Sequence, residues 1–146
     1  MSDDRRPISR DDDGQARPSL SIVIPFHNEE ESIPQLHEEI VRALAARNEP
    51  YEVLAIDDGS TDRTLAALEQ VLEVDPRWSV VVLRRNFGQT AALSAGFDHA
   101  RGQVIVTLDG DLQNDPADIP KLLELIETVD LVSGWRADRK DPFISR

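Results

Sequence analysis

Cysteine is absent from this sequence of 146 residues. Its absence excludes disulfide bonds, zinc–thiolate sites and catalysis by a thiol. Positive charge is also scarce, since 16 Lys and Arg stand against 28 Asp and Glu and the net charge is -12. Nucleic-acid binding requires clustered Lys and Arg, so no nucleic-acid partner is expected. For the same reason, docking on an anionic membrane by charge alone is disfavoured.

Long apolar runs are missing as well. No stretch approaches the roughly 18 residues needed to span a bilayer. Residues 1–19 are charged and contain proline, and they lack the apolar segment of a signal peptide. We therefore expect a disordered charged tail over residues 1–19, a single domain over residues 20–146, and a soluble, cytoplasmic chain.

Two glycine-rich phosphate-binding motifs are also absent. No Gly-x-Gly-x-x-Gly follows the first predicted strand, which disfavours a dinucleotide site. No Gly-Lys-Ser or Gly-Lys-Thr loop exists anywhere in the chain, which excludes a P-loop kinase or NTPase.

The sequence does contain a regular alternation of apolar runs of strand length with amphipathic segments of helix length. This alternation predicts a parallel, doubly wound α/β sheet with right-handed crossovers. The predicted strands cover residues 20–25, 51–56, 80–83 and 104–108, and a fifth begins at 130–134. The predicted helices cover residues 29–47, 62–74, 90–100 and 116–127.

The pattern also predicts helix caps, burial and surface exposure for individual residues. Acidic residues are expected in the first turn of the first helix, where they suit the helix dipole. Asp62 is expected to be the N-cap of the second helix, and Gly102 the C-cap of the third. The third strand is continuous in apolar character, which is typical of a strand buried on both faces. His37 and His99 lie within helical stretches and are expected at the surface.

Polar residues cluster after each of the first four strands, at the sheet edge where parallel sheets bind ligands. After the fourth strand the sequence reads Asp109-Gly110-Asp111, and Gly110 is expected to let the backbone turn so that both carboxylates converge. Convergent carboxylates with open positions suit Mg²⁺ or Mn²⁺ held jointly with a substrate's phosphates. Asp57, at the end of the second strand, is costly to bury unless it is hydrogen-bonded or paired.

A structural explanation is open for some of these polar residues. Loops between strands and helices are polar in general and must begin helices. Asn28, Ser60 and Asp62 therefore have capping as an alternative to ligand binding.

Five motifs stand in one order along the chain: VIPFHNEE at 23–30, DDGSTDRT at 57–64, RNFGQTAAL at 85–93, DGDLQNDP at 109–116 and GWR at 134–136. In order and spacing they resemble glycosyltransferases of the GT-A fold, family 2. They are most similar to the polyprenyl-phosphate branch, which includes dolichol-phosphate mannosyltransferases and bactoprenol glucosyltransferases. Gln89 departs from this branch, whose members commonly carry Lys there.

The resemblance implies a Rossmann-like GT-A domain, truncated here after the fifth strand. It implies metal-dependent, inverting transfer of a hexose from a nucleoside-diphosphate sugar, of the UDP-glucose or GDP-mannose class, to a polyprenyl phosphate. Asp57 would meet the base and Asp58 would lie beside the ribose. The implied donor-binding residues are Pro25, Asn28, Glu29, Asp57, Asp58, Asn86, Gly88 and Gln89.

The resemblance also implies a metal site and an acceptor site. Asp109, Asp111 and Gln113 would hold Mg²⁺ or Mn²⁺ on the donor diphosphate, and the two aspartates are the implied catalytic residues. Arg136 and Arg139 would approach the acceptor phosphate. That phosphate is already ionised at neutral pH, so the lack of an obvious catalytic histidine is no objection.

Other functions remain open from the sequence. The chain resembles the donor-binding part of the family alone, so a nucleotide-sugar-binding module or pseudoenzyme that acts with a partner is one alternative. Self-association, and a place at the inner face of a membrane through a missing segment or a partner, are further expectations. A phosphatase with Asp109 as nucleophile and Asp111 as acid is another alternative, although that chemistry usually follows the first strand of a domain.

Overall fold

A computed structural model describes residues 17–126 of the chain. Within that range, a fully parallel sheet has the strand order β3-β2-β1-β4. The strands are β1 (Leu20–Phe26), β2 (Tyr51–Asp58), β3 (Trp78–Leu83) and β4 (Val104–Thr107). The helices are α1 (Ile33–Leu44), α2 (Thr64–Val74), α3 (Gln89–His99) and α4 (Ile119–Ile126), and a 3₁₀ turn at Pro116–Asp118 precedes α4. The α/β prediction is confirmed for these elements, while residues 130–134 lie outside the described range.

The larger core lies between one face of the sheet and the helices α1, α2 and α4. β1 supplies alternate side chains to it, because successive residues of a strand point to opposite faces. Its largest members are Leu20, Ile22, Ile24, Phe26, Ile33, Leu36, Ile40, Leu68 and Ile119. On the opposite face, α3 packs Ala92 against Val23, Leu54 and Ile56. Val53, Leu54, Ala55 and Ile56 in the middle of β2 are all buried, so the centre of the sheet is apolar on both faces.

β3 is not buried on both faces, and that expectation is wrong. Within the described residues β3 pairs with β2 alone, so it is an edge strand. Val82 is 54% exposed, whereas Val81 and Leu83 pack partly against the core under α3. An apolar run does not distinguish an edge strand from a central one, because the strand order follows from the topology of the whole chain.

The ends of the elements differ from the prediction in ways that matter for the loops. The first helix begins at Ile33, so the acidic residues 29–31 precede it and its first turn contains no acid. Ser19, placed in the predicted tail, donates its N–H to the carbonyl of Pro50 at 2.9 Å. Across residues 17–126, no helix has the length and apolar character needed to cross a membrane.

Two predicted caps have other geometries. Asp62 accepts the N–H of Thr64 at 2.9 Å, although Arg63 is the residue that flanks α2. Ala100 flanks the end of α3, and Gly102 is not in the left-handed conformation of a helix C-cap. Instead, a Cβ on Gly102 would lie 2.7 Å from the backbone N of Ser21. Gly102 is therefore required for close packing against β1.

A buried carboxylate ties the amino ends of the two central strands to the loop before β4. Glu52 accepts the hydroxyl of Ser21 at 2.6 Å and the backbone N–H of Arg101 at 2.8 Å. The Nε of Arg101 donates to the same carboxylate at 3.1 Å. Burying this charge is therefore compensated by three donors from two segments, β1 and the loop before β4.

A second carboxylate, Asp75, joins α1, α2 and β3 near the amino end of β3. Burial alone would raise the pKa of Asp75, but side-chain hydrogen bonds from Arg77 and His37 outweigh it and hold the pKa at about 2. His37 Nε2 lies 2.9 Å from Asp75 Oδ2, and its ring meets the ring of Trp78 edge-on with centroids 5.4 Å apart. His37 is therefore partly buried and paired, contrary to its expected place at the surface, whereas His99 is exposed.

We expect Asp75→Asn to destabilise the domain most above pH 5 and progressively less as the pH falls. The folded-state pKa lies below the unfolded value, so the ionised pair stabilises above the unfolded pKa and its contribution is lost as the pH falls through about 2. A difference of this size corresponds to about 2 kcal/mol.

Urea unfolding of the wild type and Asp75→Asn between pH 7 and pH 2.5 measures this effect. Asp98→Asn, at an exposed position of α3, is the matched control. A stability difference between wild type and Asp75→Asn that does not shrink towards acid pH would contradict the assignment.

Candidate active site

The four loops that follow the parallel strands lie at the same edge of the sheet. The chain adds β2 and β3 on one side of β1 and then crosses to place β4 on the other side. Such a reversal of strand order leaves a crevice outside the carboxyl ends of the two diverging strands, here β1 and β4. The predicted donor and metal residues follow β1, β2, β3 and β4, so the topology brings their loops to one edge.

Asn28 joins the loop after β1 to the loop after β2. Its Oδ1 accepts the backbone N–H of Thr61 at 2.8 Å and that of Asp62 at 3.3 Å. Its own N–H donates to Ser60 Oγ at 3.0 Å. Asn28 has a φ of 54°, a left-handed conformation that Asn tolerates better than most residues. Asn28 flanks neither helix, since Ser32 precedes α1 and Arg63 precedes α2, so its structural role is to join two loops, and its contact with a nucleotide stays a prediction.

Asp57 is 3% exposed at the end of β2. One of its oxygens, Oδ1, accepts the backbone N–H of Ser60 at 3.2 Å. Among the described residues, the other oxygen has no donor. That oxygen is not among the buried side-chain atoms that lack a partner, so it keeps contact with solvent and is open to a ligand, which fits the prediction that Asp57 meets the base.

Asp58 is equally buried, at 3% exposed, but both of its oxygens are used. Oδ1 accepts the N–H of Phe87 at 2.8 Å and Oδ2 accepts the N–H of Gly88 at 3.0 Å. Its carbonyl lies 2.9 Å from His27 Nδ1, which must carry a proton to donate there. Asp58 thus connects the loops after β1, β2 and β3. Its predicted place beside a ribose stays a prediction.

The loop after β4 turns by a different means from the one expected. Gly110 does not have a positive φ, whereas Leu112 does, at 66°. Gly110 is needed for space instead, because a Cβ there would lie 2.5 Å from Phe26 Cδ1 and 2.9 Å from the carbonyl oxygen of Pro25. The hydroxyl of Ser32 donates to the carbonyl of Gly110. The acidic loop is therefore held against the end of β1.

Hydrogen bonds to the acidic loop involve both its backbone and its side chains. The backbone N–H of Asp109 donates to Asn114 Oδ1 at 2.7 Å. Gln89 Nε2 lies 3.5 Å from Asp109 Oδ1, at the outer limit of a hydrogen bond. Asp111 is exposed, and its Oδ1 accepts the backbone N–H of Gln113 at 3.2 Å. Asn114 and Ser32 were not predicted from the sequence, because only the folded loop shows which backbone groups they satisfy.

Negative charge accumulates where these loops meet. Burial raises the pKa of Glu29, the nearby carboxylates of Asp111 and Asp62 raise it further, and His27 opposes them. Glu29, Asp111 and Asp62 come from the loops after β1, β4 and β2. Three loops therefore bring acids close to one another, with His27 as the opposing group.

The oxygen donors at this edge suit a hard divalent cation. Carboxylate and amide oxygens are the ligands that Mg²⁺ and Mn²⁺ prefer, and Asp109, Asp111 and Gln113 supply them. Within residues 17–126, no three His, Asp or Glu side chains are arranged to hold a metal by themselves. A cation here would therefore share its coordination with the oxygens of a ligand.

The structure places the predicted donor residues at one edge of the sheet. The remaining three of them, Pro25, Asn86 and Gly88, differ in their surroundings. Pro25 lies in β1 beside Gly110, and Gly88 precedes α3 with a φ of 102°. Asn86 is exposed on the loop after β3. Arg136 and Arg139, predicted for the acceptor phosphate, lie outside the described residues.

Comparison with known proteins agrees with this geometry. The model of the family described as "Glycosyl transferase family 2" matches residues 21–144. The chain belongs to glycosyl transferase family 2. The glycosyltransferase prediction, made from five short motifs, is therefore confirmed at the level of the family.

Curated relatives of this family 2 chain extend well beyond it. The dodecaprenyl-phosphate galacturonate synthase of Rhizobium johnstonii is 45% identical over 143 residues, which cover 96% of this chain and 42% of that protein. The undecaprenyl-phosphate 4-deoxy-4-formamido-L-arabinose transferase of Proteus mirabilis is 39% identical over 129 residues, covering 87% and 40%. The chain therefore spans about two fifths of the length of these relatives.

Solved structures of glycosyltransferases share the fold. TarS of S. aureus, residues 1–349, superposes with a TM-score of 0.58 at 25% identity, over 75% of this chain and 32% of that one. The mannosyltransferase PcManGT of Pyrobaculum calidifontis, solved with GDP-Man and Mn²⁺, gives a TM-score of 0.52 at 27% identity, over 73% and 31%. The GT-A fold of this family 2 domain is thereby confirmed.

We expect Gly110→Ala to destabilise the domain by about 1–3 kcal/mol, because the new methyl group overlaps the ring of Phe26 and the backbone of Pro25. Chemical denaturation measures the loss. Phe26→Leu combined with Gly110→Ala should recover part of it, since a smaller side chain makes room for the methyl group. Full additivity of the two single losses would contradict the contact.

Proposed function

We propose that this chain forms the donor-binding part of an inverting, metal-dependent glycosyltransferase. The proposed reaction moves a hexose from a nucleoside diphosphate to a polyprenyl phosphate. Because the chain matches about two fifths of its relatives, the complete transfer is proposed for the whole protein. The observation that carries the proposal is that Asp57, with one oxygen open to a ligand, and the acidic loop after β4, with Asp111 exposed, lie at the same sheet edge.

The spacing of these two features suits a nucleotide. β2 and β4 flank β1 on opposite sides, so their ends are two strand spacings apart, roughly 10 Å. A base held by Asp57 would leave its diphosphate on the side of Asp109 and Asp111. The N-terminus of α3 also lies at this edge, where backbone N–H groups favour an anion.

A divalent cation at Asp109, Asp111 and Gln113 would stabilise the negative charge that develops on the departing nucleoside diphosphate. An oxygen of the acceptor phosphate would form a bond to the anomeric carbon. The bond from that carbon to the β-phosphate oxygen would break, with inversion. The described residues orient the donor, and Arg136 and Arg139 are proposed to meet the acceptor phosphate at the membrane surface.

The acceptor class is supported more strongly than the sugar. Both curated relatives are named for polyprenyl phosphates, but their names carry two different sugars. UDP-glucose and GDP-mannose are the donors proposed first for this chain. UDP-galacturonate belongs in the same assay because one relative is named for galacturonate.

We expect Asp109→Asn and Asp111→Asn each to weaken Mn²⁺-dependent binding of UDP or GDP by roughly tenfold or more, since each removes a charged oxygen ligand. Titration calorimetry with and without Mn²⁺ measures the loss. Asp118→Asn, an exposed acid in the 3₁₀ turn, should bind like wild type. Unchanged metal-dependent binding in both loop variants would exclude the proposed metal residues.

Asp57→Ala should behave differently. Its proposed contact is to the base, so nucleotide affinity should fall by roughly tenfold both with and without Mn²⁺. The ratio of the affinities measured with and without the metal should stay near that of wild type. Loss of the metal-dependent component alone would show that Asp57 acts on the diphosphate side.

Transfer is tested separately from binding. The chain is incubated with Mn²⁺, a short polyprenyl phosphate and each radiolabelled nucleotide sugar, and lipid-linked product is extracted. Product that disappears in Asp109→Asn supports a transferase. Because the complete transfer is proposed for the whole protein, nucleotide-sugar binding without product from this chain would fit both the donor-binding part of a transferase and a binding module that acts with a partner, whereas product formed by this chain would exclude the module.

A further inference from the structure

We propose that Asp58 is a positioning residue of the donor site. It holds the loop after β3 against the end of β2 and thereby fixes the first turn of α3 beside the acidic loop after β4. This inference rests on the donor site proposed above. It assigns Asp58 a role through the backbone of its neighbours, in place of a direct contact with the donor.

The hydrogen bonds of Asp58 are arranged for this role. Its two oxygens accept the N–H groups of two consecutive residues, Phe87 at 2.8 Å and Gly88 at 3.0 Å. The carboxylate is 3% exposed. Charge-assisted hydrogen bonds shielded from water are the stronger kind. Two bonds to adjacent amides fix the orientation of the loop as well as its distance from β2.

The residue after Asp58 brings the same two loops into contact. Gly59 has a φ of 65°, and a Cβ on it would lie 2.2 Å from the backbone N of Asn86 and 2.3 Å from the carbonyl carbon of Arg85. The backbone of the loop after β3 therefore lies directly on Gly59. Loops held this closely cannot shift independently.

The position of this loop determines where α3 begins. Gly88, whose N–H is bound by Asp58, immediately precedes Gln89, the first residue of α3. The side chain of Gln89 lies 3.5 Å from Asp109 Oδ1. A displacement of Gly88 would therefore move the start of α3 relative to the proposed metal site. Asp58 thus connects the end of β2 with the loop after β4 through two amides.

Gly88 provides an independent way to disturb the same loop. A Cβ on Gly88 would meet nothing within 4 Å, but its φ of 102° disfavours any side chain. Gly88→Ala should therefore shift the loop through backbone strain, without a steric clash and without removing Asp58. Asp58→Asn should shift it by replacing one acceptor oxygen with an NH₂ group that faces a backbone N–H.

The test is a double-mutant cycle on the affinity of the full chain for UDP and GDP with Mn²⁺, using Asp58→Asn, Gly88→Ala and the double variant. We expect Asp58→Asn to lose roughly tenfold in affinity. If both changes act through one loop, their losses are not additive, and the double variant binds about as weakly as the weaker single variant. Additive losses would overturn the proposal and favour a direct contact between Asp58 and the donor.

Glu52→Gln is the matched control for stability. Glu52 is also a buried carboxylate that accepts a backbone N–H, that of Arg101, but it lies at the opposite end of the sheet. It should keep wild-type nucleotide affinity at temperatures below its unfolding. Equal loss of affinity in Glu52→Gln would show that Asp58 acts only through general stability, which would overturn the proposal.

Amide hydrogen exchange gives a readout that needs no nucleotide. Asp58→Asn should speed exchange at Phe87 and Gly88 and leave Arg101 protected, whereas Glu52→Gln should do the reverse. Unchanged exchange at Phe87 and Gly88 would overturn the proposal. Failure of wild type to bind UDP or GDP would overturn the proposed function and this inference together, whereas wild-type affinity in Asp58→Asn would overturn this inference alone.

Discussion

The parallel register between β1 and β2 is the constraint on which the other features of this domain depend. It places Ser21 opposite Glu52 at one end and Phe26 opposite Asp57 at the other. A slip of one residue would turn every side chain of a strand to the other face. The buried Glu52 would then lose Ser21, and Phe26 would no longer support Gly110. A single alignment of two apolar strands thus sets both the polar anchor at the amino end and the site at the carboxyl end.

The carboxyl edge combines tight packing with negative charge. Glycines 59 and 110 allow the backbone or ring of a neighbouring segment to come within a distance that a side chain would occupy. The carboxylates of Glu29, Asp62 and Asp111 meet in the same region, and burial with these neighbours raises the pKa of Glu29. Packing therefore holds like charges together at a cost in electrostatic energy. A bound divalent cation would relieve that cost and could in turn attract an anionic diphosphate.

The sequence predicted the elements well where periodicity decides them. Apolar runs placed all four described strands, and the motifs placed the loops at one edge. The sequence did not predict features that depend on contacts with residues far away in the chain. Gly110 looked like a turn residue, but Phe26 explains it, and the exposure of Val82 depends on the strand order. His37 looked like a surface residue because its partner, Asp75, lies in another element. The partners of Asp58 are two backbone amides, which no side-chain pattern reveals.

Strand order also has a consequence for how the chain assembles. β1 is the first strand in sequence, yet it lies inside the sheet between β2 and β4. Gly102, just before β4, donates to Ser21 across 81 residues of sequence. During synthesis the amides and carbonyls on one edge of β1 therefore stay unpaired until β4 has been made. Long-range parallel pairing of this kind is slow and leaves an open edge. β1, a central strand of the finished domain, is thus exposed as an unpaired edge during synthesis, when it could pair with another chain.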